Sequence, residues 1–176
     1  FMYVLTFREK RAENRRNYAP IDAATAPAVS IIVPGYNEEV NIVRTITTLK
    51  QQDYPNLHIY FVDDGSKDHT LERVREAFDT DDKVTVLAKK NGGKASALNY
   101  GIAACRSEYV VCIDADTQLK QDAVSRLMKH FIADKDKRIG AVAGNVKVGN
   151  QRNMLTYWQA IEYTSSQNFD RMAYSN

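Results

Sequence analysis

The clearest fold signal lies in residues 57–78, which read LHIYFVDDGSKDHTLERVREAF. The apolar run from Leu57 to Val62 is rich in β-branched and aromatic residues and predicts a buried strand. Two acids and a Gly-Ser turn end that run, and apolar residues then recur at helical spacing, at Leu71, Val74 and Phe78. This stretch therefore predicts a strand, a polar turn and an amphipathic helix from Asp68 to Phe78.

The same alternation extends in both directions along the chain. Further strands are predicted at Val29 to Val33, Val84 to Leu87, Tyr109 to Ile113 and Ile139 to Ala143. Further helices are predicted at Glu38 to Gln51, Lys94 to Ala104, Gln121 to Ile132 and Asn153 to Tyr174. Strands that alternate with helices form βαβ crossovers, so we expect a doubly wound α/β fold with a mostly parallel sheet flanked by helices. Ligands of such sheets bind outside the carboxyl ends of the strands.

Composition limits the classes of function. The chain has 176 residues, of which 44% are hydrophobic and 26% charged, as in ordinary soluble domains. A net charge of +2 is too small to argue for nucleic acid as the main partner, and we expect none. Two cysteines are too few for a disulfide framework, which favours a reducing compartment. The three histidines lie at no zinc-ligand spacing, and no apolar run reaches the roughly 18 residues of a membrane span.

Residues 1–28 differ in character from the rest of the chain. The apolar stretch from Phe1 to Phe7 precedes a cluster of basic residues, and residues 17–28 carry two prolines typical of a linker. The pattern fits either the cytoplasmic exit of a membrane helix or a frayed amphipathic terminus. Because the chain opens on Phe1 with no initiator methionine, we expect a piece of a longer protein. We expect 1–28 to be a basic juxtamembrane segment and linker, and 29–176 to be a ligand-binding domain.

Asp114 and Asp116 directly follow a fully apolar predicted strand. Carboxylates two residues apart on an extended segment project to the same side, where they repel each other unless a cation lies between them. Hard divalent ions such as Mg²⁺ take one or two carboxylates and complete their shell with water and phosphate oxygens. We therefore predict that Asp114 and Asp116 hold a metal together with a diphosphate. The alternative is a solvated turn that caps the next helix.

Asp63 and Asp64 form a second acidic turn, after the strand in residues 57–62. Neighbouring residues of a strand face opposite ways, so only one of the two acids can line a cleft. We favour Asp64 there, as a hydrogen-bond acceptor for a nucleobase or a ribose. The turn also needs a helix cap, and Ser66 or Asp68 can supply it.

A Gly-Gly loop, Asn91-Gly92-Gly93, leads straight into a predicted helix. Such a loop presents free backbone N–H groups and is a natural anion site. Lys94 follows in the first helical turn, where a cation is unfavourable by roughly 0.3–1 kcal/mol unless an anion lies beside it. A diphosphate would be such an anion, and the alternative is a surface lysine after a flexible loop.

The turn after the first strand carries Tyr36 and Glu38. Tyr36 could stack on a planar base and Glu38 could hydrogen-bond a ribose, although an ordinary strand-to-helix turn would read the same way. The Gly-Gly loop lacks the Walker A spacing. No Gly-x-Gly-x-x-Gly motif is present either, and its absence argues against a dinucleotide oxidoreductase. The cysteines and histidines form no nucleophile–base pairing.

From about Ser30 to Val148 the chain resembles the N-terminal half of the catalytic domain of family 2 glycosyltransferases, which have a GT-A fold. The resemblance rests on four motifs, Val33-Pro34-Gly35-Tyr36-Asn37-Glu38-Glu39, Val62-Asp63-Asp64-Gly65-Ser66, Asn91-Gly92-Gly93-Lys94-Ala95 and Asp114-Ala115-Asp116. Within the family the chain looks most like the processive membrane synthases of poly-N-acetylglucosamine, chitin oligosaccharide and hyaluronan. Gly144-Asn145 is similar to the members that polymerise N-acetylglucosamine.

The resemblance implies a UDP-sugar donor and a role for each matching residue. Tyr36 and Asp64 would contact uracil, Glu38 would lie near the ribose, and Lys94 would approach the diphosphate. The implied UDP-sugar-binding residues are Pro34, Tyr36, Glu38, Asp64, Lys94 and Asp114. The implied ligands of Mg²⁺ or Mn²⁺ are Asp116 and Asp114, and the metal would stabilise charge on the departing UDP.

The resemblance also implies the reaction, which is transfer of a sugar to a growing polysaccharide in bacteria with inversion. We expect this sugar to be N-acetylglucosamine. The full-length enzyme would lie at the cytoplasmic face of the cell membrane, held by segments outside these residues. The family's base, in a Thr-Glu-Asp motif, and its polymer-binding Gln-x-x-Arg-Trp motif do not occur in the 176 residues. We therefore expect a soluble part of the catalytic domain that binds donor but contains no catalytic residue. The alternatives are a sugar nucleotidyltransferase and a non-catalytic sugar-nucleotide-binding domain.

Overall fold

Four strands and four helices alternate along residues 21–144, the part of the chain that the computed structural model describes. The strands are β1 (Val29–Gly35), β2 (Leu57–Asp63), β3 (Val84–Ala88) and β4 (Tyr109–Cys112). The helices are α1 (Ile42–Leu49), α2 (Thr70–Phe78), α3 (Lys94–Ala104) and α4 (Ala123–Ala133). All strands run parallel in the order β3-β2-β1-β4, which confirms the predicted α/β class. The helix predicted at Asn153 to Tyr174 lies outside the described residues.

The sheet is covered by helices on both faces. On one face, residues such as Ile31 of β1 and Phe61 of β2 pack with apolar residues of α1, α2 and α4. On the other face, Ile32 and Val62 pack with Ala97 of α3. Burial on both faces explains why these strands read as almost continuous apolar runs.

Gly101 lets α3 approach the sheet closely. A Cβ atom at this position would lie 2.6 Å from Cγ2 of Ile32 and 3.0 Å from Cγ2 of Val62. Contacts that short are not tolerated, so a larger residue would push the helix outward. The absence of a side chain at Gly101 therefore sets the distance between the sheet and α3, the helix that begins with Lys94.

β1 continues two residues further than predicted, through Pro34 to Gly35. The N–H of Ile113 donates to the carbonyl of Ile32 (3.2 Å), and the N–H of Asp64 donates to that of Gly35 (2.9 Å). The backbone N–H and C=O groups of successive β1 residues therefore face β4 and β2 in turn, and the nitrogen of Pro34 faces β4. Because pairing with β4 ends at Ile32, no hydrogen bond is lost through the proline nitrogen.

Helix α1 begins four residues later than predicted. The backbone N–H groups of Glu38 and Glu39 donate to side chains of the loop after β2, at Thr70 Oγ1 (2.8 Å) and Asp68 Oδ2 (3.3 Å). The N–H groups of Asn41 and Ile42 both donate to the carbonyl of Glu38 (3.1 Å each), so residues 38–41 form a turn and the regular helix α1 begins at Ile42.

The described residues belong to two compact units, which meet between Ile132 and Ala133. Within the described residues 133–144 of the second unit, the strand predicted at Ile139 to Ala143 is wrong, because no strand forms there. The N–H of Ile139 donates instead to Asp134 Oδ2 (2.6 Å). Small residues dominate this segment, so it offers little side-chain surface for a strand to bury.

None of the helices between residues 21 and 144 combines the length and the apolar character that crossing a bilayer requires.

Candidate functional site

A cavity of about 370 Å³ opens at the carboxyl ends of the strands. It is lined by the turns after β1 and β4, by Asp64 after β2, and by the loop that leads from β3 into α3. The structure brings together in this cavity the predicted donor-binding and metal residues Pro34, Tyr36, Glu38, Asp64, Lys94, Asp114 and Asp116. Four separate stretches of sequence thus contribute polar side chains to one cavity.

The cavity lies where the order of the strands reverses. The chain runs outward from β1 through β2 to β3 and then returns to place β4 on the other side of β1. Open α/β sheets bind their ligands at such a reversal, because the loops after the two adjacent strands diverge there and leave a crevice. Strand β4 stops at Cys112, opposite Ile32, so it does not extend beside Pro34 and the crevice is wider there.

The turn after β1 is bonded directly to the loop after β2. The N–H of Asn37 donates to Ser66 Oγ (3.0 Å), and the N–H of Lys67 donates in return to Asn37 Oδ1 (2.8 Å). Asn37 adopts a left-handed conformation, with φ of 55°, which asparagine tolerates better than most residues. The loop after β2 therefore holds in place the turn that contains Tyr36 and Glu38.

Asp68 holds both the start of α2 and this junction. Its Oδ1 accepts hydrogen bonds from the N–H (3.0 Å) and the hydroxyl (2.5 Å) of Thr70. Burial raises the pKa of Asp68, but the hydrogen bonds from Thr70 and from the N–H of Glu39 outweigh it and hold the pKa below its ordinary value. Of the two predicted caps, Asp68 acts at the helix start, whereas Ser66 accepts from the turn after β1.

Asp64 is buried and anchors the Gly-Gly loop. Its Oδ1 accepts from Lys89 Nζ (2.6 Å) and the N–H of Gly92 (3.0 Å), and its Oδ2 accepts from the N–H of Gly93 (2.7 Å). The prediction that these loop amides are free is therefore wrong, since Asp64 is their anion. Burial raises the pKa of Asp64, but the bonds from Lys89, Gly92 and Gly93 hold it below its ordinary value of 3.8.

The two adjacent acids after β2 have different surroundings. An ionised carboxylate offers about four acceptor positions, and the bonds to Asp64 occupy all four, because the N–H of Gly92 also donates to Oδ2 (3.2 Å). Asp63 does not line the cavity. Its Oδ2 accepts from the N–H groups of Gly65 and Ser66 (3.1 Å each), and its buried Oδ1 has no partner among the described residues.

The sequence predictions missed Lys89, which directly follows β3. Its side chain is only 16% exposed, and Nζ donates to Asp64 and to the carbonyl of Lys90 (2.6 Å). A positional signal was available, because Lys89 stands at the carboxyl end of a predicted strand. Its pairing with an acid 25 residues earlier was not visible, since it depends on β3 lying beside β2.

The residues around Asp114 form a turn and not the extended segment that we predicted. The N–H of Thr117 donates to the carbonyl of Asp114 (3.0 Å). Asp114 and Asp116 are exposed on either side of the buried Ala115, and both line the cavity. Lys94 Nζ forms an ion pair with Asp114, so the anion beside this lysine is a protein carboxylate.

Asp116 lies near Glu38 and forms no hydrogen bond or ion pair with another described residue. Burial and the negative charges of Asp116 and Asp68 raise the pKa of Glu38. Within residues 21–144, no group of three or more His, Cys, Asp or Glu residues is arranged to hold a metal. Two exposed carboxylates in one cavity nevertheless fit Mg²⁺ or Mn²⁺, because these ions complete their shell with phosphate oxygens and water.

Comparisons with known sequences give a consistent result. The family described as Glycosyl transferase family 2 matches residues 30–173. A poly-beta-1,6-N-acetyl-D-glucosamine synthase of Staphylococcus epidermidis is 33% identical over 159 residues, which cover 90% of this chain and 38% of that protein. A synthase of the same name from Staphylococcus aureus strain COL is 35% identical over 137 residues, 78% of this chain and 33% of that protein. The chain thus spans between 33% and 38% of the length of these relatives.

Two solved structures share the fold. The mannosyltransferase PcManGT of Pyrobaculum calidifontis, in complex with GDP-Man and Mn²⁺, aligns with a TM-score of 0.60 and 30% identity, over 76% of this chain and 41% of that one. S. aureus TarS 1–349 aligns with a TM-score of 0.52 and 24% identity, over 71% of this chain and 43% of that one.

Proposed function

The chain belongs to glycosyl transferase family 2, as its motifs predicted, and we propose that its cavity binds the nucleotide-sugar donor of a polysaccharide synthase. The observation that supports this most is the convergence of the turns after β1, β2, β3 and β4 on one cavity at the strand reversal. We further propose that the donor is UDP-N-acetylglucosamine and that the full-length protein transfers the sugar with inversion. The acceptor is a growing polysaccharide at the cytoplasmic face of the membrane, and the catalytic base comes from residues outside this part of the chain.

The nucleoside binds at the side of the cavity formed by β1 and β2. Tyr36 is 42% exposed at the rim, where its ring can stack on a planar base, and Pro34 lines the cavity next to it. A base N–H can reach Asp64 at Oδ2, where the N–H of Gly92 is shared between the two oxygens and its bond to Oδ2 is the longer one (3.2 Å). Glu38 lines the same side and is the candidate for a ribose hydroxyl.

The diphosphate binds between α3 and the turn after β4. Lys94 stands at the positive end of the α3 dipole, and its ammonium group can pass from Asp114 to a phosphate oxygen. Asp116, with Asp114, would hold Mg²⁺ or Mn²⁺ against the same phosphates. When bound, the metal supplies a positive charge that stabilises the departing diphosphate.

Two of the comparisons support particular parts of the proposal. The staphylococcal relatives are named as synthases of an N-acetylglucosamine polymer, which favours that sugar. PcManGT was solved with GDP-Man and Mn²⁺, which favours a divalent metal here. The base and the sugar of GDP-Man, however, differ from those that we propose. The choice between a uracil and a guanine nucleotide therefore has to be tested on this protein.

Isothermal titration calorimetry tests the proposal. We expect UDP-N-acetylglucosamine to bind in the presence of Mn²⁺, to bind at least tenfold more weakly with EDTA, and to bind better than GDP-mannose under both conditions. Tighter binding of GDP-mannose would overturn the assignment of the base. Absence of binding by both nucleotides, with and without Mn²⁺, would overturn the proposed function.

A further inference from the structure

Helix α1 contains three threonines whose hydroxyl groups bond in different ways. Thr47 Oγ1 donates to the carbonyl of Val43 (2.7 Å), and Thr48 Oγ1 donates to the carbonyl of Thr45 (2.8 Å). Both are bonds within the helix, the usual arrangement for a helical threonine. Thr45 instead donates across to the carbonyl of Ala115, 70 residues later, at 2.7 Å. Its hydroxyl is thus used to hold another part of the chain.

The acceptor of this bond is the peptide unit between the two acids of the cavity. Thr45 is 3% exposed and Ala115 is 5% exposed, so water cannot replace the bond without local rearrangement. Asp114 and Asp116 project from either side of this buried peptide. Whatever fixes the carbonyl of Ala115 therefore fixes the relative positions of the two carboxylates.

A second polar side chain near the end of α1 fixes the far end of the same segment. Gln52 Nε2 donates to the carbonyl of Lys120 (2.8 Å), and Gln52 Oε1 accepts from the N–H of Val124 (3.1 Å). Gln52 is also buried. Of residues 116–119 between these two attachments, only Asp116 lines the cavity, and Thr45 is the buried side chain that bonds nearest to the two acids.

We propose that Thr45 is a positioning residue for the cation site: it holds the turn of Asp114 and Asp116 in the geometry that a divalent metal and a diphosphate require. The inference rests on the proposed function, because it assumes that these acids bind the metal. A bond that orients metal ligands from outside the first coordination shell typically contributes 10–100-fold to metal affinity, so an effect of about tenfold is expected here.

The test compares three variants in the affinity of Mn²⁺ for the UDP-loaded protein. Thr45→Val keeps the shape of the side chain but removes the donor, and we expect it to weaken Mn²⁺ binding about tenfold. Thr45→Ser keeps the hydroxyl and should retain the parent affinity. Thr47→Val is the matched control, since it removes a hydroxyl from the same helix that bonds only within α1. UDP binding in EDTA should be the same for all three variants. Equal Mn²⁺ affinities of Thr45→Val and Thr47→Val would overturn the inference.

Amide hydrogen exchange provides a readout that does not depend on the nucleotide. In Thr45→Val, exchange at Thr117, whose N–H donates to the carbonyl of Asp114, should become faster than in the parent and in Thr47→Val, while exchange in β1 stays unchanged. Unchanged exchange in this turn would overturn the positioning role, even if the protein bound no nucleotide. Faster exchange without any Mn²⁺–UDP binding by the parent would instead refute the proposed function and, with it, the cation role of the turn.

Discussion

Two acidic turns of the same cavity are built in opposite ways. After β2, Asp64 is buried and already accepts N–H groups from a lysine and two glycines. After β4, Asp114 and Asp116 are exposed, and Asp114 has one ion-pair partner while Asp116 has none among the described residues. In the first turn the carboxylate charge is bound by the protein's own loop, whereas in the second turn the carboxylates remain accessible to a ligand.

This contrast shows that acids at strand ends need not have the same task. A buried carboxylate with three donors is most useful as an anchor, because moving any of its partners leaves a desolvated charge. An exposed pair of carboxylates contributes little to folding, since water solvates it in the unfolded and folded states alike. Substitutions in the two turns should therefore affect stability and binding differently.

The largest expected effect on folding is that of Lys89→Met. Removing the ammonium group leaves the buried carboxylate of Asp64 without its charged partner, which typically costs about 3–5 kcal/mol of unfolding free energy. Chemical denaturation monitored by circular dichroism measures this loss. Lys90→Met is the matched control, because it removes the neighbouring exposed lysine and should change the free energy by less than about 0.5 kcal/mol. Similar losses for the two variants would remove the distinction between the turns.

Acidic pH should also weaken the bonds that Asp64 accepts. We expect it to lower the unfolding free energy by less than Lys89→Met does. The pKa of Asp64 lies below its ordinary value of 3.8 in the folded protein, so its contribution is complete above that pH and is lost as pH falls through the folded pKa. The difference in unfolding free energy between the parent and Asp64→Asn should therefore stay constant near neutral pH and shrink below pH 3.8. Denaturant titrations at several pH values measure it, and a difference that grows in acid would contradict the anchor role.

The smallest effect on folding is expected for Lys94→Met, which removes the ion pair of Asp114 in the turn after β4. Lys94 and Asp114 are 62% and 54% exposed, and exposed pairs contribute about 0–1 kcal/mol. Removing a cation from the start of α3 also regains roughly 0.3–1 kcal/mol from the helix dipole. The unfolding free energy should thus hardly change, while UDP binding in EDTA becomes weaker. A loss of stability comparable to that of Lys89→Met would show that both pairs are structural.

The strands could be predicted well because each is an apolar run with a polar end. β2 was expected at residues 57–62 and extends to Asp63, and the helix over Lys94–Ala104 has the predicted bounds. The predicted start of α1 was wrong: residues 38–41 form a turn, and the N–H groups of Glu38 and Glu39 bond to a loop about 30 residues away, a contact that the sequence does not reveal. The predicted fifth strand was wrong for a related reason: a short apolar run forms a strand only where a partner and a buried face exist.

The site could be predicted as a set of residues but not as a set of bonds. The rule that ligands bind at the carboxyl ends of strands selected Asp64, Lys94 and Asp116, and the structure places them in one cavity. The partners of these residues depend on which strands are neighbours, and the order β3-β2-β1-β4 was not predicted. For that reason the contacts of Lys89 and Thr45 became visible only in three dimensions.

The most direct test of the open acidic turn is the affinity of Mn²⁺ for the UDP-loaded protein, measured by calorimetry for Asp116→Asn and Asp79→Asn. Both substitutions remove one exposed carboxylate, but Asp79 lies at the end of α2 and does not line the cavity. Loss of an outer-shell partner already weakens metal binding roughly 10–100-fold, so Asp116→Asn should weaken it at least that much, with unchanged stability. Asp79→Asn should match the parent. Equal Mn²⁺ affinities of the two variants would contradict the assignment of the cavity as a metal–diphosphate site.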